Sequence, residues 1–101
     1  MMTHYAKKVI LNSKSEYSSK YDQLLYDLIE SKVLLFCAVG RDCEVWHDVI
    51  DELLLGDSSI ERDFFMITTW HTDATLEDVI EFAKVCYVES PDNATVQVID
   101  I

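Results

Sequence analysis

Residues 33–40 (VLLFCAVG) constrain this chain more than any other segment. The run carries no charged or strongly polar side chain, so a strand built from it has no face suited to water. Such a strand belongs in a parallel sheet covered by helices on both sides. Eight residues are also far short of the roughly 20 that an apolar helix needs to cross a bilayer.

The rest of the chain supplies partners for that strand. Residues 6–12 (AKKVILN) read as a first strand and residues 64–69 (FFMITT) as a third, buried one. Residues 95–101 (TVQVIDI) read as a fourth, with a milder alternation that suits a sheet edge. Between them the apolar period changes from two to three and four. Tyr17, Tyr21, Leu24, Leu25, Leu28 and Ile29 form one helical stripe, entered through a capping box at Ser13 and Glu16 or starting a few residues later, and ending near Lys32. Val45, Trp46, Val49, Ile50, Leu53 and Leu54 form a second, capped by Asp42 and stopped by Gly56. Leu76, Val79, Ile80, Ala83 and Cys86 form a third, capped by Thr75. Residues 57–63 make a polar connection, and Ser90-Pro91-Asp92-Asn93 is the clearest turn.

The order β-α-β-α-β-α-β implies right-handed crossovers and a three-layer α/β/α sandwich around a four-stranded, mainly parallel sheet. The flavodoxin-like strand order 2-1-3-4 is preferred, with 3-2-1-4 as the alternative. At 101 residues the chain makes a single α/β domain over residues 1–101. An uncovered terminal edge invites a second chain, so a homodimer through strand 95–101 is an expectation.

Composition narrows the function. Nineteen acidic residues against eight basic ones leave a net charge of −11, which opposes nucleic-acid or anionic-membrane binding. Residues 1–8 are not followed by the apolar core of a secretory leader. The three cysteines, Cys37, Cys43 and Cys86, are irregularly spaced, as befits reduced thiols of a cytoplasmic protein, with Cys37 in the core.

In an open parallel sheet, ligands bind beyond the carboxyl ends of the strands. That rim would gather Asn12 and Ser13, then Gly40 to Cys43, then Thr69 to Asp73. Cys43, in the first turn of a helix beside Arg41, is a candidate nucleophile. His71 would be its base, with Asp42 or Asp73 to orient the imidazole. The plainer reading makes Asp42 a cap, Cys43 a small first-turn residue and His71 a loop residue. Cys43 and His47 share a helix face and, with His71 and Asp73, have the ligand types of a zinc site, but the spacing matches no recognised set. No metal or cofactor is therefore expected. The first turn (Leu11-Asn12-Ser13-Lys14-Ser15) lacks the glycines of a nucleotide loop. Its serines suit a small phosphate or simply a turn, and Asp42 and Asp73 on the rim would repel an anion.

The distribution of charge is the strongest functional hint. Glu44, Asp48 and Asp51 recur on one face of the second helix, although like charges so spaced weaken it. A solvated face explains such a stripe, as does a docking face for a basic protein. Trp70, at the exit of the third strand, is a candidate interface anchor, or equally a side chain folded back to cover the end of the sheet. The expectation is a small acidic cytoplasmic interaction module that meets a basic or mixed protein surface through Glu44, Asp48, Asp51 and Trp70. Small acidic proteins of inhibitor or immunity type, which block a basic nuclease or mimic DNA, work by this logic. The alternative is a small enzyme using Cys43 with His71.

The segments LLFCAVGRDCEVWHDVIDELLLGD and FFMITTWHTDATLEDVIEFA, through Cys37 to Cys43, Trp46, Gly56-Asp57, Thr68-Thr69 and His71, resemble a small bacterial domain family of unknown function over residues 33–83. That resemblance implies no activity, cofactor or catalytic residue.

Overall fold

The structure is a computed structural model that describes residues 5–55, 66–88 and 95–101. The elements are β1 (Lys8–Ser13), α1 (Asp22–Glu30), β2 (Leu35–Gly40), α2 (Cys43–Leu55), β3 (Ile67–His71), α3 (Leu76–Val85) and β4 (Val96–Asp100), with a short 3-10 turn (Ser19–Tyr21) before α1. The expected stop at Gly56, the 57–63 connection, Phe64 and Phe65 of the third strand and the 90–93 turn lie outside the described residues.

Every neighbouring strand pair is parallel. The order is β3-β2-β1-β4, so the preferred order 2-1-3-4 gives way to the alternative. The reason lies in β3. Its residues Thr68, Thr69, Trp70 and His71 are half-buried or exposed, which suits an edge and not the interior place that 2-1-3-4 would require. Met66, the described end of the apolar run that suggested a buried strand, is buried just before Ile67. β4 is the other edge, as its milder alternation implied.

Side-chain alternation divides the sheet into two cores. Val9, Leu11, Phe36 and Ala38 face α1 and α2, meeting Leu25, Leu28, Trp46 and Ile50. Ile10, Leu35, Cys37 and Val39 face α3, meeting Val79 and Ala83. Right-handed crossovers place α1 and α2 on one side while the chain steps from β1 to β3. α3 then takes the other side as the chain returns to pair β4 with β1. This is the three-layer α/β sandwich.

Local boundaries follow recognisable chemistry, with one correction. Thr75 caps α3 in a full capping box with Asp78. Ser13, however, does not open the first helix. It is buried at the end of β1 and its hydroxyl donates to the Ser15 carbonyl at 2.7 Å. The later start holds: Ser18 caps the 3-10 turn, its hydroxyl accepting from the Lys20 N–H, and α1 follows at Asp22. α1 ends at Glu30, and Lys32 (φ 59°) turns the chain into β2. Gly40 has φ +94°, and a Cβ there would fall 2.2 Å from the Ser13 carbonyl oxygen, which accepts the Arg41 N–H at 2.8 Å. Glycine is therefore required by both conformation and space.

Lys8 is fully buried on the α3 side, and its Nζ donates to the Ala83 carbonyl at 2.7 Å. It satisfies the last turn of α3, where carbonyls lack intrahelical partners and the dipole favours a cation.

Candidate functional site

Because all four strands run the same way, their carboxyl ends meet on one side of the molecule. The rim does gather there, but its side chains are divided by the sheet. Trp70 and His71 are the last residues of β3 and not part of a loop, so they point to opposite faces.

Cys43 opens α2, is 6% exposed and belongs to the α1–α2 core. Its Sγ lies 3.9 Å from Thr72 Oγ1. His71 packs its ring edge-on to Phe82 of α3, with centroids 4.9 Å apart, and its Nε2 lies 2.9 Å from Thr69 Oγ1. Burial holds the imidazole below its usual pKa. The thiol and the imidazole thus have different neighbours on different sides of the sheet. Asp42 (φ 57°) does not orient the imidazole either. Its carboxylate accepts the Tyr17 N–H at 3.0 Å, across in the β1–α1 connection. Arg41 is paired with Glu16. The Cys43–His71–Asp42 constellation is not assembled by these contacts. Cys37, buried under α3, has its thiol pushed up to about 11 by burial and is a core residue. Among the described residues no group of three or more His, Cys, Asp or Glu side chains is placed to hold a metal ion.

What the fold does build is a seam between α2 and β3. Cys43 meets Thr72, His47 meets Trp70 and Asp51 meets Thr68, so every fourth residue of the helix faces every second residue of the strand. Four helical residues advance about 6 Å and two strand residues about 6.6 Å, so the two repeats stay in step along the seam. At its centre the His47 ring lies 4.4 Å from the Trp70 ring. His47 Nδ1 is 3.0 Å from Asp48 Oδ1, and Nε2 is 3.4 Å from Asp51 Oδ2. The other oxygen of Asp51 accepts the Thr68 hydroxyl at 2.7 Å. A carboxylate thus lies beside each imidazole nitrogen, and the ring backs Trp70. Trp70 remains 44% exposed on an open edge strand. Glu44 and Asp48 are exposed beside it, and Asp51 is half-buried.

His47 is the residue that sequence reasoning passed over as part of this face. The signal was present in its spacing to Asp51, four residues on. Trp46, of the second apolar stripe, lies in the core. It is fully buried, with Tyr17 and Tyr21 edge-on at 5.1 and 5.2 Å, and its indole N–H has no partner among the described residues. The Tyr17 hydroxyl donates to Asp22 at 2.5 Å, and that bond pushes its pKa up to about 12.

An open parallel sheet with one acidic helix laid along an edge strand defines a small α/β domain that carries an exposed aromatic at an acidic border. The chain belongs to the family described as Domain of unknown function (DUF7684), matched over residues 2–101, well beyond the 33–83 stretch that carried the resemblance. Comparison with curated proteins and with solved structures found no match. Among the described residues no helix is long and apolar enough to cross a membrane.

Proposed function

We propose that this domain is a non-enzymatic, cytoplasmic interaction module whose α2–β3 face docks on a basic or mixed protein surface. One observation carries the reading: Trp70 stands 44% exposed on an edge strand, pre-positioned by His47, with Glu44, Asp48 and Asp51 alongside. An aromatic anchor that is already rigid loses little entropy on binding. The acids around it steer a cationic partner and disfavour anionic ones. The repulsion within α2, where Glu44 and Asp48 stand four apart, fits a stripe kept for contact, since it costs helix stability. An inhibitor or immunity-type role, covering the cationic cleft of a basic enzyme, follows the same logic.

The test is affinity capture of partners at about 0.05 M and about 0.5 M salt, with wild type, Trp70→Ala and the pair Glu44→Gln with Asp48→Asn compared. The reading expects a specific basic partner, retained at low salt, lost at high salt and lost in both variants. Capture that ignores salt and both variants, or no capture at all, overturns it.

A further inference from the structure

We propose that the groove between the β1–α1 connection and the β2–α2 turn is a binding site for a small phosphoryl anion, independent of the α2–β3 face. The groove has a volume of about 460 Å³ and is lined in part by Lys14, Ser15, Glu16, Tyr17, Lys20 and Arg41. That volume falls in the range of small-molecule sites. Three of the eight basic residues of a chain with net charge −11 line this one groove. Such a concentration of cations runs against the rest of the molecule.

Its position in the fold is the one where parallel sheets bind ligands. The groove opens beyond the carboxyl ends of β1 and β2, and Lys14 N–H donates to the Ile101 carbonyl at 2.8 Å, so the end of β4 adjoins it. In the order β3-β2-β1-β4 the winding reverses between β1 and β4, so the switch point shares the carboxyl end of β1 with the groove, whose lining comes from the β1–α1 and β2–α2 segments. Of the acids that would repel an anion, Asp73 follows β3, with β2 between that strand and β1. Glu16 and Asp42 stay charged at the groove, Glu16 paired with Arg41 and Asp42 accepting the Tyr17 N–H, so the three cations face two carboxylates.

The cations are held available. The Lys14 ammonium has no partner among the described residues, and Lys20 Nζ lies 5.1 Å from the Tyr21 ring centre. Arg41 is held at the groove by Glu16, in an ion pair whose side chains are 55% and 70% exposed. Exposed pairs of this kind contribute little, so a dianion that takes two guanidinium N–H groups displaces Glu16 readily. The hydroxyl of Ser15 offers a further donor. The net charge of the chain argues for a compact anion and against a polyanion, because screening confines repulsion to roughly 8 Å at physiological salt.

The experiment is titration of the full chain with pyrophosphate, at constant ionic strength made up with chloride, followed by amide NMR shifts and calorimetry. Citrate serves as the competing anion. The proposal expects saturable shifts confined to residues 14–21 and 41, with citrate binding weaker. Lys14→Ala and Arg41→Gln should each weaken pyrophosphate binding roughly tenfold, as loss of a hydrogen bond to a charged group does. Glu16→Gln should strengthen it by a few-fold, because it frees Arg41, and Trp70→Ala should leave it unchanged. Thermal melting checks that each variant is folded. Non-saturable shifts, shifts centred elsewhere, equal binding of citrate, or weaker binding in Glu16→Gln would each overturn the assignment.

Discussion

Gly40 shows how much one residue can hold. It lets β2 end directly against β1, with no room for a Cβ beside the Ser13 carbonyl. Gly40→Ala is expected to cost about 3 kcal/mol through strain at positive φ and the clash together. For a domain of this size that is a fall of roughly 10–20 °C in Tm, and calorimetry showing an unchanged Tm would contradict the close approach. His71 gives a pH dependence whose sign can be worked out. Burial lowers its folded pKa beneath the ordinary 6.5, so around that pH the unfolded chain binds more protons than the native state. Stability is therefore full above about pH 6.5 and declines as pH falls from there through the folded value. Urea unfolding across this range should show the decline, and His71→Gln should flatten it.

At the scale of elements, α2 is the one whose own sequence opposes it. Asp48 and Glu52 are exposed four residues apart, and Glu52 lies in the last turns, where the helix dipole disfavours an acid. What holds the helix is its buried face, Cys43, Trp46 and Ile50, together with the seam to β3. Glu52→Lys turns the repulsion into an attractive pair with Asp48 and suits the dipole. It should stabilise the domain by roughly 0.5–1 kcal/mol, read as a higher urea midpoint with an unchanged slope. A lower midpoint would mean that Glu52 makes a contact the acidic face depends on. The same element explains why the Cys43–His71 arrangement is attractive in sequence and absent in space. Both residues were legible as rim residues from topology alone. Which face His71 takes depended on whether β3 stops before or after it, and strand ends are poorly marked by periodicity.

At the scale of the whole molecule, charge acts on stability alongside packing. With a net charge of −11 on a chain of this length, self-repulsion destabilises the compact state and salt relieves it. Tm should therefore rise by several degrees between about 0.02 M and about 0.5 M sodium chloride. A flat response would place the acids in compensating pairs. The rise in stability should run opposite to the effect of salt on partner binding, which separates the two roles of the same charge.

The sequence by itself determined which segments are strands and which are helices, which side of each is apolar, and that the strands run parallel. These follow from the period of side chains within one element and from the handedness of short crossovers, both local properties. The strand order, the burial of Lys8 against the end of α3, the His47–Trp70 seam and the gathering of Lys14, Lys20 and Arg41 at one groove were decided only by the tertiary structure. Each depends on which element lies beside which, and a period that says a face is apolar does not say what covers it.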